Sequence, residues 1–126
     1  MHRILLRTIV IDVPSNVHDA ARDFWTTALA ASARRGTVYP EYHVLEQAAV
    51  PGTVMVQNVG SAGARVHLDI ETDDVEAEVG RLLAAGATEV ERHKDWVVLS
   101  DPAGLLFCVV PAEAADFAEK ATAVGS

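Results

Sequence analysis

The hydrophobic pattern begins with residues 4–13, where Ile, Leu and Val fill most positions and Pro14 follows two residues after Asp12. This composition and punctuation are typical of a largely buried β-strand. Ser15 and Asn16 then offer capping oxygens to a helix, whose apolar residues recur at helical spacing. The stripe predicted for this helix is Val17, Ala21, Phe24, Ala28 and Leu29.

Further strands are expected in the first half of the chain, at residues 37–45 and 53–59, with Pro51-Gly52 between them. A short additional strand at residues 31–35 has a weaker pattern. Counting that strand, the first half has the order strand, helix and three strands.

The second half opens with strict alternation over residues 65–71, which is typical of a half-buried strand. Three apolar side chains share one face and three polar side chains share the other: Val66, Leu68 and Ile70 against His67, Asp69 and Glu71. The apolar face is expected to pack under a helix, so the polar face, with His67, is expected to be the concave one.

A second helix is predicted to begin at an Asp73 cap with Glu76 three residues later, and to end at a left-handed Gly86. Its apolar stripe comprises Val75, Val79, Leu82 and Leu83. Strands at residues 88–92, 96–100 and 105–110 follow, and a terminal helix from about Ala112.

The two halves repeat in pattern when one is shifted by 58 residues, although few identities coincide. We therefore predict one α+β domain, residues 1–126, of two tandem βαβββ modules forming a curved mixed sheet around a central pocket. Module one spans about 3–60, module two about 64–111, and 112–126 form a short C-terminal helix and tail. The alternative is a ferredoxin-like fold, whose units normally contain fewer strands.

Composition and net charge argue against several classes of function. The net charge of −8 and scattered basic residues argue against nucleic-acid binding. The apolar stretches are shorter than a membrane span, and the single cysteine, Cys108, excludes an internal disulfide. We expect a cytoplasmic protein. There is no Ser/His/Asp order, glycine-rich phosphate loop or HExxH motif in the chain.

Several segments together resemble the glyoxalase-like branch of the glyoxalase/bleomycin-resistance/dioxygenase (vicinal oxygen chelate) superfamily. They are V-I-D at residues 10–12, F-W-T-T-A-L at 24–29, R-V-H-L-D-I at 65–70, W-V-V-L-S-D-P-A-G at 96–104 and F-C at 107–108. The resemblance runs from about residue 3 to residue 110. It implies the fold described above and a small-molecule pocket between the modules.

Metal-dependent members of that superfamily hold a divalent ion with side chains from the first and last strands of each module. Carried over to this chain, the four positions are Ile9, Gln57, His67 and Cys108. Ile9 offers no ligand atom, and an apolar strand around Cys108 disfavours its thiolate. We therefore expect no metal cofactor. If a metal binds, its ligands are expected to be Gln57, His67 and Cys108.

The functional expectation is a protein that binds a small organic molecule, as in drug or metabolite sequestration by bleomycin-resistance relatives. The residues expected to line the ligand are Gln57, His67, Cys108, Ile9 and Tyr42. A homodimer is expected as well, since relatives often pair and sheet edges benefit from covering. The alternative is a metal-dependent lyase, isomerase or ring-cleaving dioxygenase, in which His67 is the catalytic acid or base.

Overall fold

The computed structural model describes residues 1–46 and 53–125, which form the predicted βαβββ order twice. The Pro51-Gly52 separator lies outside the described residues. The first set consists of β1 (His2–Val13), α1 (His18–Ala28), β2 (Ser32–Arg35), β3 (Tyr42–Glu46) and β4 (Thr53–Asn58). The second set consists of β5 (Arg65–Thr72), α2 (Val75–Ala85), β6 (Thr88–Arg92), β7 (Val97–Ser100) and β8 (Leu106–Pro111). The chain continues with α3 (Phe117–Lys120) and β9 (Thr122–Val124).

The chain divides into two compact units, and the division falls within β1 and β5. Thr8–His67 form one unit, here named the α1 unit after its helix. Met1–Arg7 and Leu68–Ser126 form the other, the α2 unit. In the α1 unit, β2 pairs with β3 and β3 with β4 in antiparallel fashion, while β4 runs parallel to β1.

The α2 unit has the same ladder pattern: β6–β7 and β7–β8 are antiparallel, and β8 runs parallel to β5. The start of β1 adds an antiparallel pairing with β9. The mixed parallel and antiparallel ladders, each with one helix longer than two turns, confirm the predicted α+β class and exclude a ferredoxin-like unit with fewer strands.

Each helix covers the apolar face of its own ladder. In the α1 unit the buried cluster is Val13, Leu45, Val54 and Val56, and Trp25 and Leu29 of α1 pack against it. In the α2 unit the buried cluster is Val79, Val97, Leu99, Phe107 and Val109, and Leu68 and Ile70 of β5 pack against it. Leu68 and Ile70 therefore lie on the helix side of β5, as the alternation predicts. Val66 is exposed and is an exception.

The start of α1 differs from the prediction. Ser15–Val17 form a 3₁₀ turn, Val17 occupies the N-cap position, and no side chain among the described residues caps the helix. The apolar stripe is also shifted, because Val17 and Phe24 are exposed while Trp25 packs in the core. Ala21 and Leu29 are the predicted stripe residues that do pack there.

The ends of α2 are close to those predicted. The cap is Asp74, not Asp73: its carboxylate accepts a hydrogen bond from the backbone N–H of Ala77 at 3.0 Å. Asp73 instead accepts from the backbone N–H of Arg3 at 2.8 Å and from its side chain at 2.9 Å. Gly86 ends the helix with φ of +117°, the left-handed conformation expected of it.

The bounds of β3 and of the terminal helix also differ from those predicted. Residues 37–41 are not part of a strand, so β3 begins only at Tyr42. The terminal helix is four residues long and begins at Phe117, five residues after the predicted start. The strand β9 that follows it was not predicted.

Among the described residues, no helix has the length and apolar character needed to cross a membrane.

Candidate functional site

Polar side chains form a row across the α1 unit, on the face of the ladder turned away from α1. Asp12 of β1 is the Cα partner of Gln57 of β4, and Gln57 is the partner of Tyr42 of β3. Neighbours in register point to the same side of a sheet, and that side is opposite to Val13 and Val56 in the core. The row therefore presents a phenol, an amide and a carboxylate together.

An apolar row lies beside the polar one. Two residues earlier along β1 and β4, and two later along β3, the register places Val10, Met55 and Val44 side by side. Val10 is fully buried and the other two are half-buried. Alternation puts these residues on the same face as Asp12, so the face combines an apolar strip with a polar one.

Asp12 and His67 form a buried hydrogen-bonded pair at this face. The His67 Nδ1 lies 2.7 Å from Oδ2 of Asp12, and the two residues are 9% and 1% exposed. The half-exposed Arg65 guanidinium approaches the same oxygen, with its Nε at 3.6 Å. A carboxylate that is buried without compensation is costly, and the imidazole and the guanidinium provide that compensation.

The pair determines how the imidazole can act. When the carboxylate accepts a hydrogen bond from Nδ1–H, the lone pair of the neutral ring resides on Nε2. This arrangement orients the ring, as carboxylates do for catalytic and metal-binding histidines. Nε2 is then the nitrogen through which the His67 ring can accept a hydrogen bond.

The second oxygen of Asp12 adds a further feature. Within residues 1–46 and 53–125, the buried Oδ1 of Asp12 has no hydrogen-bond partner. Buried carboxylate oxygens are usually paired, because leaving one unpaired costs about 1–3 kcal/mol. A hydroxyl or N–H group of a ligand would satisfy it.

The residues predicted to line a ligand are only partly gathered here. Gln57 and Tyr42 lie in the row, and His67 is bound to its third member, Asp12. Ile9 lies on the other face of β1, beside Val54 on the α1 side, and is 38% exposed. The structure does not bring Ile9 together with the others.

Cys108 belongs to the α2 unit. It is the Cα partner of Asp69 in the β5–β8 ladder and of Val98 in the β7–β8 ladder. It is half-buried. The carboxylate of Asp69 was noted in the sequence only as part of a polar strand face, and the ladder places it beside the thiol.

Asp12 is the site residue that sequence reasoning missed. It is a single carboxylate at the end of an apolar strand, two residues before Pro14, and it is 1% exposed. An ionisable residue at a buried strand position is rare without a partner, and this was the available signal. The partner is 55 residues away, so spacing along the chain does not reveal it.

The α2 unit has an ion pair that resembles the Arg65–Asp12 contact in type. Arg7 Nε donates to the buried Glu71 at 2.9 Å, and Arg7 also donates to Asp116 at 2.7 Å. The pKa of Asp116 is held far below its usual range by hydrogen bonds from Arg7 and then Lys120. The pKa of Arg7 is raised, chiefly by Asp116. These groups neutralise one another and are structural.

The donor set for a metal can be judged by its chemistry. Within the α2 unit, Asp69 of β5 pairs in register with Cys108 of β8. A carboxylate and a thiolate can both bind a borderline ion such as zinc, whereas magnesium and calcium prefer oxygen ligands alone. Zinc held by these residues would supply a Lewis acid.

Comparisons with known proteins agree with this architecture. A family model described as the glyoxalase-like domain matches residues 8–110, most of the chain. No curated protein sequence gives a significant match.

Solved structures share the fold at low identity. A hypothetical protein, BH1468 from Bacillus halodurans C-125, superposes with a TM-score of 0.63 and 12% identity, covering 88% of this chain and 96% of that one. A glyoxalase/bleomycin resistance protein/dioxygenase superfamily member from Vibrio splendidus 12B01 superposes with a TM-score of 0.55 and 16% identity, covering 85% of this chain and 98% of that one. Methylmalonyl-CoA epimerase from Mycobacterium tuberculosis superposes with a TM-score of 0.52 and 17% identity, covering 86% of this chain and 88% of that one.

Identities this low carry the fold alone and not an activity. The family match over residues 8–110 and the repeated βαβββ order point the same way. This chain belongs to the glyoxalase-like domain family.

Proposed function

We propose that the protein binds a small organic molecule against the face of the α1 unit that carries Tyr42, Gln57, Asp12 and His67. The Asp12–His67 pair is the observation that carries the proposal. A buried carboxylate that orients an imidazole is expensive to maintain, and a binding role would explain why this position is not simply apolar.

The chemistry of the face limits the ligand. The strip of Val10, Met55 and Val44 favours an apolar body, and the adjacent polar row favours one or two hydrogen-bonding groups. The ligand must donate a hydrogen bond to the Asp12 carboxylate, and it can also donate one to Nε2 of His67 or to the side-chain oxygen of Gln57. A small molecule with a hydroxyl or an amide on an apolar frame fits this pattern, and the proposed binding requires no resident metal.

A screen by nuclear magnetic resonance tests the proposal. The ¹⁵N-labelled protein is titrated with a set of small phenols, alcohols and amides, and amide shifts are followed at Tyr42, Gln57 and His67. His67→Asn retains a nitrogen near the Nδ1 position for Asp12 while removing Nε2. Binders are expected to shift this face in the wild type and to lose affinity in His67→Asn.

The matched control is His93→Asn, since His93 lies in the turn before β7 and stacks on Trp96. This control should bind as the wild type does. Ligands that shift the turn and leave Tyr42 and Gln57 unaffected would contradict the proposal.

A metal-dependent enzyme is the second candidate, favoured by Asp69 beside Cys108 and by the carboxylate that orients His67. Among similar structures, the Mycobacterium tuberculosis protein is an epimerase by name. If this candidate is right, the protein contains stoichiometric metal, and His67 acts in a lyase, isomerase or dioxygenase reaction. Metal analysis separates the two candidates.

A homodimer is also proposed, because each ladder ends in an exposed strand. Every residue of β2 and of β6 is exposed, and such edges are usually covered. Light scattering should show a particle of about twice the chain mass. A particle of 13.4 kDa at high concentration would contradict the dimer.

A further inference from the structure

A cleft of about 540 Å³ opens in the α1 unit on the side of the ladder opposite to the Tyr42–Gln57–Asp12 row. Helix α1 contributes His18 and Arg22 to its lining, and the neighbouring strands β2 and β3 contribute Arg35 and His43. His43 directly follows Tyr42 in β3 and therefore points to the other face. The cleft is separate from the face in the proposed function.

Two imidazole nitrogens in this cleft are buried without partners. His18 is 8% exposed, and within the described residues its Nε2 has no hydrogen-bond partner; the same holds for Nδ1 of His43. The two ring centroids are 5.0 Å apart, and the rings are tilted by 44°. Buried polar atoms are rarely left unpaired, so a hydrogen-bond partner, either a water molecule or a ligand group, is expected beside these two nitrogens.

The neighbouring Asp19 orients the His18 ring. Its carboxylate lies 3.0 Å from Nδ1 of His18, and the pKa of Asp19 is lowered by this hydrogen bond and by Arg22. When the carboxylate accepts a hydrogen bond from Nδ1–H, Nε2 is the ring nitrogen that is left for another partner.

The local charge favours an anion, although the chain carries −8 overall. Burial lowers the pKa of His43, and the positive charges of His18, Arg22 and Arg35 lower it further, against a smaller opposite effect of Asp19. The neighbouring cations thus act on His43 more strongly than Asp19 does. A metal cation would meet the same repulsion, even though Glu41 also lines the cleft.

Arg35 is the cation of the cleft whose charge is least compensated. Its Nε donates to the backbone carbonyl of Pro40 at 3.2 Å, and no carboxylate pairs with it in residues 1–46 or 53–125. Arg22, by comparison, contacts both Asp19 and Asp23. The adjacent Arg34 points to the other face of β2 and pairs with Glu46.

We propose that this cleft binds a small oxyanion, a phosphate or a carboxylate group, held by Arg35, His18 and His43. The guanidinium supplies paired donors for such a group, and the imidazoles supply the remaining ones. The pKa of His43 is lowered by burial and by the neighbouring cations, and a bound anion offsets this effect. The charged side chains of Asp19, Glu41, Arg22 and Arg35 line the same cleft. Because the anion favours the protonated form of His43, affinity is higher at pH 6 than at pH 8.

Titration of the ¹⁵N-labelled protein with inorganic phosphate, and separately with acetate, at constant ionic strength tests the proposal. The side-chain resonances of His18 and His43 are followed at pH 6 and pH 8, and the stronger probe identifies the favoured oxyanion. Arg35→Ala is expected to weaken binding by about tenfold or more, because it removes a charge-assisted hydrogen bond. Arg34→Ala changes the same charge on the same strand and should leave the affinity nearly unchanged.

Saturable shifts of both imidazoles that depend on Arg35 and not on Arg34 support the site. Equal losses in the two variants would mean diffuse charge attraction and would overturn it. Absence of saturation by either probe in the folded wild type would also overturn it, as would stoichiometric zinc binding by both histidines without any response to oxyanions. Melting temperatures show whether the variants remain folded, and because Arg35 is exposed, Arg35→Ala should melt as the wild type does.

Discussion

The imidazole of His67 is joined through Nδ1 to Oδ2 of Asp12 at 2.7 Å, although the two residues are 55 positions apart in the sequence. The contact connects the end of β1 to the start of β5 and gives the α1 unit its buried ionisable pair. Without this contact, the Tyr42–Gln57–Asp12 row would offer polar side chains but no oriented imidazole.

The first prediction concerns the tautomer of His67. Because Asp12 accepts from Nδ1, the neutral ring in the wild type should carry its proton on Nδ1. Ring ¹⁵N shifts at pH 8 measure this directly, and Asp12→Asn should weaken the preference. A proton on Nε2 in the wild type would contradict the proposed orientation.

The second prediction concerns the buried Glu78 of α2. His2 Nε2 lies 2.8 Å from its carboxylate, Arg81 donates two hydrogen bonds to it, and the residue is 0% exposed. Glu78→Gln leaves Arg81 poorly compensated and should lower the free energy of unfolding by about 3 kcal/mol in urea denaturation. Glu76→Gln, which alters an exposed ion pair of the same helix with Arg92, should have no measurable effect. Equal changes in the free energy of unfolding would mean that Glu78 contributes no more to stability than the exposed Glu76 does.

The third prediction is the pH dependence that follows from Glu78. Burial would raise its pKa, but hydrogen bonds from Arg81 and His2 outweigh burial, so the pKa is lowered in the folded state from 4.5. Because the pKa of Glu78 is lower in the folded protein, ionised Glu78 stabilises the fold at a pH above its unfolded-state pKa. This stability is lost as the pH falls through its folded-state pKa. Unfolding free energies measured from pH 6 to pH 3 should therefore decline more steeply in the wild type than in Glu78→Gln. Parallel curves would show that Glu78 is not responsible.

Much of the fold was predictable from the sequence because alternation and helix spacing are local. Residues 65–71 show where β5 lies, and Gly86 marks the end of α2. The local hydrophobic pattern could not show which of two adjacent residues of similar type is buried. Phe24 and Trp25 are adjacent aromatics on α1, and only packing against the ladder buries Trp25 and exposes Phe24.

The residues of the candidate site were predictable in part for the same reason, although their role in binding stays a prediction. Gln57, His67 and Tyr42 were identified by resemblance and strand parity, and the register then shows that Tyr42 and Gln57 are neighbours. Contacts between distant segments were not predictable. Asp73 was predicted as the cap of α2, but Asp73 accepts a hydrogen bond from Arg3, 70 residues away, and Asp74 caps the helix. Asp12 was overlooked because its partner, His67, lies 55 residues away along the chain.

The fourth prediction is the metal content. Ile9 offers no ligand atom, and the proposed binding does not require a metal. Protein expressed and purified without a histidine tag should therefore contain far less than one equivalent of divalent metal by elemental analysis. About one equivalent of zinc, lost together with ligand binding on chelation and reduced by His67→Asn, would favour the metal-dependent enzyme instead.

The measurement that tests the central claim most directly compares ligand affinity and melting temperature in His67→Asn and Leu68→Ala. These adjacent residues of β5 lie on opposite faces: His67 contacts Asp12, and Leu68 packs against the α2 core. His67→Asn should weaken binding of a screened ligand by about 1–2 kcal/mol and melt close to the wild type. Leu68→Ala should lower the free energy of unfolding by about 2–5 kcal/mol and leave the affinity of the folded protein unchanged. If His67→Asn binds the ligand as tightly as the wild type, or melts as early as Leu68→Ala, His67 is a structural histidine and the proposed binding face is wrong.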